Sequence, residues 1–417
     1  MSSKKKTTAT KDDAKPALVP KLRFPDFQEA EGWECIPLNQ LAVRINQKNR
    51  DEKIDRVLTN SAEFGVVDQR DFFDKDIATQ GRLEGYFVVE LGSYVYNPRI
   101  SSTAPVVPIS KNKIGTGVMS PLYTVFRFKD DSNEFLEHFF KTTGWHNYMR
   151  EAASTGARHD RMAISSDDFM AMPLPVASPA EQQKIAECLS SVDELMAAQA
   201  RKVDALKTHK KGLMQQLFPR EGETQPRLRF PEFQNAGEWE VKAIGDVFRV
   251  TRGEVLSMTL VKEEASEEAP FPVYSSQTKN KGLAGYYSEH LYEDAITWTT
   301  DGANAGDVNF RPGKFYCTNV CGVLINTNGY ANACIAALLN SVTRSHVSYV
   351  GNPKLMNGVM AKIEIPFPPV AEQQRIATCL SSLDALITAE SQKLETLKTH
   401  KKGLMQQLFP SPEEVAA

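Results

Sequence analysis

Long hydrophobic runs are missing from this chain of 417 residues, and cysteine is scarce, at six residues. No stretch approaches the ~18 consecutive apolar residues of a membrane-spanning helix, and no apolar segment follows the Lys-rich N-terminus as it would in a secretory signal. We therefore expect no membrane contact and a cytoplasmic location. In a reducing cytosol, the cysteines are not expected to form disulfides.

An excess of positive charge is also missing. The 49 Lys and Arg residues are outnumbered by 52 Asp and Glu residues, which gives a formal net charge of −3. This balance excludes a protein that coats nucleic acid through bulk positive charge, although a local patch or a basic partner could still bring DNA to it. With 41% hydrophobic residues the chain can build cores, and its length predicts two or three domains.

Catalytic motifs are missing too. The chain has no Gly-Lys-Ser/Thr phosphate loop, no Gly-x-Gly-x-x-Gly turn, no His-Glu-x-x-His and no serine elbow. Neither Asn97-Pro98-Arg99 nor Asn352-Pro353-Lys354 is the Asn/Asp-Pro-Pro-aromatic motif of a DNA aminomethyltransferase. Cys317, Cys321 and Cys334, together with His290 or His346, have the elements of a metal site, but Cys317 and Cys321 lie in apolar, strand-like runs, so we expect the cysteines to be buried packing residues. The sequence therefore predicts no catalytic residue, no metal ligand and no enzymatic activity of its own.

What the chain does contain is an internal duplication. Residues 180–219 and 371–410 align without a gap at an offset of 191, with 28 identities in 40 positions. A shorter pair, 22–34 and 228–240, has 9 identities in 13 positions. The chain therefore runs through a short motif, a variable block and a long repeat, and then through all three again.

Both long repeats predict helices. Their seam positions follow a 4-3-4-3 spacing over five heptads, which is the pattern of a coiled coil. Two seam positions in each copy are polar, Gln199 and Lys210 in the first and Glu390 and Lys401 in the second. Polar seam residues can set register or orientation. Such a rod needs a partner in water, and its near-twin in the same chain favours an intramolecular pair; a dimerisation coiled coil between two chains is the alternative. An antiparallel pairing would put the seam lysine of each helix toward the start of the other helix and the two variable blocks at opposite ends.

The first helix carries a start signal and both helices carry a stop signal. Ser178 is the expected N-cap, Pro179 occupies the first helical position, and Glu181 can return the capping hydrogen bond. Pro219 and Pro410 are expected to end the two helices, because proline lacks the amide proton that a helix interior needs.

The two variable blocks, about 36–178 and 241–369, predict strand-rich mixed domains and show no comparable similarity to each other. In both, short alternating or apolar runs are separated by turns rich in Gly, Asn, Ser and Pro. Each block reaches its long helix through a strand that ends in prolines.

A polar loop precedes that last strand, at 154–161 in the first block and at 348–354 in the second. Counting back from the prolines places Arg161 opposite Lys354. A basic residue with glycine and hydroxyl neighbours suits phosphate contact, and Arg or Asn can read guanine or adenine edges through paired hydrogen bonds. A solvated loop with ordinary surface charges is the alternative, and residue types alone leave it open.

The Glu-Gln-Gln-Lys/Arg-Ile-Ala motifs at Glu181–Ala186 and Glu372–Ala377 resemble those of the specificity subunit of type I restriction-modification systems. The Leu-Arg-Phe-Pro motifs at Leu22–Pro25 and Leu228–Pro231, the duplicated helix and the two unrelated blocks agree with that family. The resemblance covers nearly the whole chain apart from the Lys-rich tail. It implies an α+β fold with two strand-rich target-recognition domains separated by an antiparallel coiled coil of two long duplicated helices, in pseudo-twofold arrangement.

The expected domains follow in chain order. They are a disordered basic tail (1–20), a first target-recognition domain (21–179), the first coiled-coil helix (180–219), a linker with the repeated motif (220–240), a second target-recognition domain (241–370), the second coiled-coil helix (371–410) and a tail (411–417).

The resemblance also implies a function. Each block would read one half of an asymmetric, two-part site in double-stranded DNA, with the helices as a ruler between the halves. The implied partners are two methyltransferase subunits and up to two ATP-dependent restriction and translocase subunits. These partners, and not this chain, would use S-adenosylmethionine, ATP and Mg²⁺.

If each block reads DNA as the resemblance implies, particular residues are candidates for DNA contact. They are Thr155, Gly156, Arg158, His159, Arg161, Tyr349, Asn352 and Lys354, with Ser276, Gln277, Asp301 and Asn304 as a second set. Two other classes of protein stay open: a coiled-coil scaffold whose blocks bind proteins, and an enzyme with an unrecognised active site.

Overall fold

The computed structural model describes residues 18–72, 83–99, 108–153, 162, 164–276 and 279–410. The chain divides into two compact units. The first unit consists of two segments, one that ends at Ala198 and one that begins at Leu394, and the second unit is Gln199–Lys393. Each long helix therefore contributes one part to each unit. None of the helices described combines the length and the apolar character that a membrane crossing requires.

The first unit mixes short strands with short helices. Its strands are β1 (Glu34–Pro37), β2 (Ala42–Arg44), β3 (Leu58–Ser61), β4 (Gly65–Asp68), β5 (Phe87–Val89), β6 (Tyr94–Tyr96), β7 (Ile109–Lys111), β8 (Gly117–Met119), β9 (Thr124–Phe128) and β10 (Pro173–Val176). Its helices are α1 (Leu38–Leu41), α2 (Gln69–Phe72), α3 (Glu134–Phe140), α4 (His146–Ala152), α5 (Ser166–Met170) and the first part of α6 (Pro179–Leu217). Among these strands, four form an antiparallel sheet in the order β2-β9-β6-β7, while β1 pairs with β10, β3 with β4 and β5 with β8.

The second unit has a larger sheet. Its strands are β11 (Glu240–Ala243), β12 (Arg249–Arg252), β13 (Phe271–Tyr274), β14 (Leu283–Tyr287), β15 (Tyr292–Thr299), β16 (Val308–Cys317), β17 (Cys321–Ile325) and β18 (Glu364–Phe367). Its helices are α7 (Ile244–Val247), α8 (Ala333–Val342), α9 (Asn357–Met360) and the first part of α10 (Val370–Leu408). The described strands form a sheet in the order β12-β17-β15-β16-β13-β14, with β11 and β18 paired separately.

One four-strand arrangement recurs in the two units despite their unrelated sequences. The order β2-β9-β6-β7 in the first unit corresponds, strand by strand along the chain, to β12-β17-β15-β16 in the second. The β6–β7 connection and the β15–β16 connection therefore occupy the same place in the two sheets. The α+β fold that the sequence predicts is confirmed.

These central strands are buried on both faces, which explains their apolar runs. In β6, Tyr94 packs into one core, where its ring stacks on Phe126 with centroids 5.4 Å apart, while Val95 packs into a second core behind the sheet. In the second unit, Cys317 and Cys321 lie in the smaller of two cores. The prediction that these cysteines are buried packing residues is confirmed.

The short repeated motif meets the start of the long helix through a buried ion pair. Arg23 Nε and Nη2 donate to the two carboxylate oxygens of Glu181 at 2.8 and 2.7 Å. Arg229 donates in the same way to Glu372, at 2.9 and 2.6 Å. The expected capping role of Glu181 is therefore wrong in part: its amide lies 3.4 Å from Ser178 Oγ, but its carboxylate is taken by the arginine.

The two long helices run antiparallel within each unit. In the second unit, Gln199 Nε2 donates to Glu390 Oε2 at 2.7 Å, and Lys210 Nζ donates to Asp384 Oδ1 at 2.6 Å. The contact residue numbers rise along one helix as they fall along the other. In the first unit, Lys401 Nζ donates to an aspartate on α6 at 2.5 Å. The partner that the heptads require is supplied within the chain.

Candidate nucleic-acid interface

In the second unit, the β15–β16 connection (300–307) meets the polar loop 348–354. The amide of Leu355 donates to Thr300 O at 2.9 Å, and the amide of Gly302 donates to Pro353 O at 2.9 Å. Trp298, which is buried at the end of β15, donates through Nε1 to Leu355 O at 3.0 Å. A core aromatic residue thus holds the junction, so both loops are fixed to the central sheet.

The loop 348–354 is closed on itself. Ser348 and Lys354 exchange two backbone hydrogen bonds, each of 2.9 Å, and Gly351 supplies the left-handed backbone (φ 75°) that the turn needs. The loop tip is open to solvent, with Tyr349 68% and Val350 92% exposed. The fold thereby presents an aromatic ring, an exposed amide and an ammonium group from one ordered loop.

Electrostatic contacts join the two loops only weakly. Lys354 Nζ lies 3.9 Å from Asp301 Oδ1, and the lysine side chain is 51% exposed, so its ammonium group remains available to an anion. Thr300 Oγ1 lies 2.7 Å from Asp301 Oδ2, which orients the carboxylate. Carboxylates in protein–DNA interfaces accept from the cytosine amino group, and lysines contact phosphate or guanine.

A third element joins this cluster. Asn304 Nδ2 donates to Ser276 O at 3.4 Å, which brings the β13–β14 turn beside the β15–β16 connection. The structure therefore gathers most of the predicted residues of the second block on one face. We call this set the second-unit loop surface; it consists of Ser276, Asp301, Asn304, Tyr349, Asn352 and Lys354. Gln277 lies outside the described residues.

The candidates of the first block, Thr155, Gly156, Arg158, His159 and Arg161, also lie outside the described residues. The chain is described again at Met162, whose amide donates to Pro98 O at 2.9 Å in the β6–β7 connection. This hydrogen bond matches the one from Leu355 to Thr300. The same junction between the same two connections therefore exists in both units.

Two residues at the first junction were not among the sequence candidates. Asn97 and Arg99 line a cavity of about 250 Å³ together with Gln69, Ser120 and Tyr123, among others. Asn97 Oδ1 accepts from the amide of Arg99 at 3.0 Å, and the arginine side chain is exposed. Sequence reasoning took Asn97 and Pro98 only as turn formers; their place at the end of the central strand β6 was the signal that could have found them.

Asn60 closes this connection from the inside. The residue is buried, and its Nδ2 donates to Val95 O at 3.2 Å and to Pro108 O at 2.9 Å. These two hydrogen bonds fix the start and the end of the β6–β7 connection. Within the described part of the chain, no cluster of three His, Cys, Asp or Glu side chains could hold a metal ion. The described residues of the junctions offer hydrogen-bonding groups and one cation each, Arg99 in the first unit and Lys354 in the second, where the carboxylate of Asp301 lies beside the lysine.

Comparisons with known proteins agree with this arrangement. The family described as type I restriction modification DNA specificity domain matches residues 236–399. The N-terminus of a type I specificity subunit from Mycoplasma pneumoniae is 40% identical over 142 residues, which are 33% of this chain and 74% of that protein. The specificity subunit of the type I restriction enzyme MjaVIII from Methanocaldococcus jannaschii is 30% identical over 192 residues, 44% of this chain and 43% of that subunit. The chain thus spans most of the first relative but less than half of the second.

Solved structures share the fold. The crystal structure of the S subunit of a type I restriction-modification system from M. genitalium superposes with a TM-score of 0.60 at 15% identity, covering 94% of this chain and all of that one. A chain from a structural study of type I system assembly gives a TM-score of 0.53 at 15% identity, covering 91% of this chain and 98% of that one. The sequence relationship and the shared fold together show that this chain belongs to the family of specificity subunits of type I restriction-modification systems.

Proposed function

We propose that this chain selects an asymmetric, two-part site in double-stranded DNA, with one half read by each unit. The observation that carries the proposal is the junction that recurs in both units, between the connection of the two central strands and the loop before the last strand. Each junction presents polar and basic side chains, and the two blocks differ in sequence. Unrelated reading surfaces on one framework favour two unrelated half-sites.

We further propose that the paired long helices act as the ruler between the half-sites. Each helix has 39 residues, which at 1.5 Å per residue makes a rod of about 58 Å. The antiparallel contacts found within each unit support a stiff pair. Proteins with two linked reading heads engage half-sites about one helical turn apart, ~34–36 Å, when their spacing is fixed.

The chain would recognise the DNA site, and its partner subunits would catalyse methyl transfer and DNA cleavage. The proposed partners are two methyltransferase subunits, which use S-adenosylmethionine on adenine, and up to two ATP- and Mg²⁺-dependent restriction and translocase subunits. An adenine must leave the base stack to be methylated, so binding is expected to accompany DNA distortion. The chain's near-neutral charge fits this division, because part of the phosphate contact would come from the methyltransferases.

A methylome tests the proposal. The chain is expressed with its methyltransferase partner in a host without other DNA modification, and native DNA is sequenced for modified adenine. We expect a new asymmetric two-part motif that disappears when this chain is omitted. A soluble, assembled complex that yields no motif and binds DNA no differently at low and high salt would refute the proposal and favour a protein-binding scaffold.

A further inference from the structure

Strand β16 carries a buried arginine that forms no ion pair with a carboxylate of the described residues. Arg311 is 7% exposed; its Nε donates to Thr297 Oγ1 at 3.0 Å and its Nη2 donates to Lys281 O at 2.7 Å. The guanidinium carbon lies 3.7 Å from the ring centroid of Tyr274. None of the ion pairs among the described residues includes Arg311. Burying a charge without a counter-ion is costly, and here the two hydrogen bonds and the ring of Tyr274 offset that cost.

The carbonyl that Arg311 holds belongs to a strained turn. The β13–β14 turn, of which residues 275–276 and 279–282 are described, is closed by a hydrogen bond of 2.8 Å from the amide of Ser275 to Gly282 O. Within it, Asn280 (φ 52°, ψ 37°) and Lys281 (φ 53°, ψ 34°) both adopt the left-handed conformation. Consecutive left-handed residues other than glycine are unfavourable, and strain of this kind concentrates where a function requires it.

The strained turn adjoins the second-unit loop surface, which includes Ser276 of the same turn. Asn304 on the β15–β16 connection donates to Ser276 O, so the turn lies beside the proposed reading face. The side chains of Asn280 and Lys281 are exposed. An amide can pair with adenine through two hydrogen bonds, and an ammonium group can contact guanine or phosphate. Two costly features, a guanidinium that has no ion-pair partner among the described residues and a left-handed turn, thus meet at one hydrogen bond beside this surface.

We infer that Arg311 is a positioning residue, which holds the β13–β14 turn so that Asn280 and Lys281 contact the half-site read by the second unit. The inference rests on the proposed function and adds to it a residue outside the DNA contact and two residues within it. Arg311 contacts the turn by donating to the Lys281 carbonyl and by packing against the Tyr274 ring, and its hydrogen bond to Thr297 fixes the orientation of the guanidinium plane. Lysine at this position would keep the charge but could not make the same forked contacts.

The anchoring itself is measured without DNA, by hydrogen exchange of the full chain. In Arg311→Lys we expect the amide of Ser275 to exchange at least about tenfold faster than in the wild type, because the turn loses its anchor. Arg249→Lys, at an exposed arginine on β12, is the matched control and should leave that rate unchanged. Equal exchange rates in wild type and Arg311→Lys would overturn the inference, whatever the DNA result.

Methylome sequencing of the assembled complex then tests recognition. In Arg311→Lys we expect discrimination to fall about tenfold at one or two positions of one half-site, with the other half-site and the spacing unchanged. Asn280→Gly covers the case in which Arg311→Lys does not fold. Glycine relieves the left-handed strain, so thermal stability should rise while discrimination falls at one position.

Failure of the inference on Arg311 and failure of the proposed function give different results. A motif unchanged in Asn280→Gly, or both half-sites weakened together in a folded Arg311→Lys protein, would overturn the inference while leaving the two-part site intact. A wild-type complex without any motif would count against the proposed function, and the exchange measurement would still decide whether Arg311 anchors the turn.

Discussion

Replacing Glu372 with glutamine should destabilise the second unit by about 3 kcal/mol. The Glu372 carboxylate is 1% exposed and receives two hydrogen bonds from Arg229, whose side chain is 8% exposed. It also accepts from Trp239 Nε1 at 3.1 Å. Removing one partner of a buried ion pair typically costs about 3–5 kcal/mol, because the other charge stays buried; the amide keeps some hydrogen bonding, which places the estimate at the low end.

The first unit supplies the matched control. Glu181→Gln breaks the corresponding pair with Arg23, but Trp33 Nε1 has no hydrogen-bond partner among the described residues of its unit. Within the described chain, the tryptophan bond to this carboxylate is therefore found in the second unit and not in the first. Glu372→Gln should therefore cost about 1 kcal/mol more than Glu181→Gln.

Native-state hydrogen exchange is the suitable assay, because a chain of two units need not unfold in one step. Exchange is followed at the first turns of α6 and α10, so that each unit reports on its own variant. The double variant Arg229→Met/Glu372→Leu should recover much of the loss, since an apolar pair can replace a buried ion pair. A loss below about 1 kcal/mol in Glu372→Gln, or no recovery in the double variant, would refute the assigned role of the pair.

Three further predictions concern the first unit, the second-unit loop surface and the helices. Burial, reinforced by nearby lysines, lowers the pKa of His138 from 6.5 to about 4. The unfolded chain therefore binds a proton at this histidine before the folded chain does, so the free energy of unfolding is unaffected above pH 6.5 and falls as the pH drops toward 4, by about 2 kcal/mol between pH 7 and pH 5. In urea unfolding, the stability of His138→Gln should depend less on pH than that of the wild type. Lys354→Ala should weaken DNA binding of the assembled complex across sequences and reduce its salt dependence by about one counterion if the ammonium group holds a phosphate, whereas a loss confined to one base position would assign it to base reading. Inserting four residues, about 6 Å of helix, into either long helix should change the unread spacer and leave both half-sites unchanged in the methylome; a variant that keeps its spacer but loses one half-site would contradict the ruler.

Several features were readable from the sequence because they depend on local periodicity. The heptad spacing predicted both long helices and showed that Gln199 and Glu390 occupy polar seam positions. The structure adds that these two side chains meet through a hydrogen bond of 2.7 Å. The apolar runs around Cys317 predicted burial. The resemblance of the repeated motifs to one family led to the family that the comparisons show.

Other features needed the tertiary structure. The sequence alone offered a local capping role for Glu181, whereas the fold gives its carboxylate to Arg23, which is 158 positions away. Asn97 and Pro98 were predicted only as turn formers; the structure shows that the Pro98 carbonyl accepts from the Met162 amide at the junction. The role of individual loop residues in DNA contact stays a prediction, including the five candidates of the first block.

The sequence by itself determined the duplicated helices, their polar seam positions and the existence of two unrelated blocks. All of these follow from spacing within a short stretch of chain, where backbone geometry dictates which side chains share a face. Only the tertiary structure decided that one junction recurs in both units and that Arg311 lies beneath a left-handed turn. Both findings concern residues that are far apart in the chain. Their proximity is set by the order of the strands in each sheet and by the packing of the cores on both faces of the sheet, which no local sequence pattern encodes.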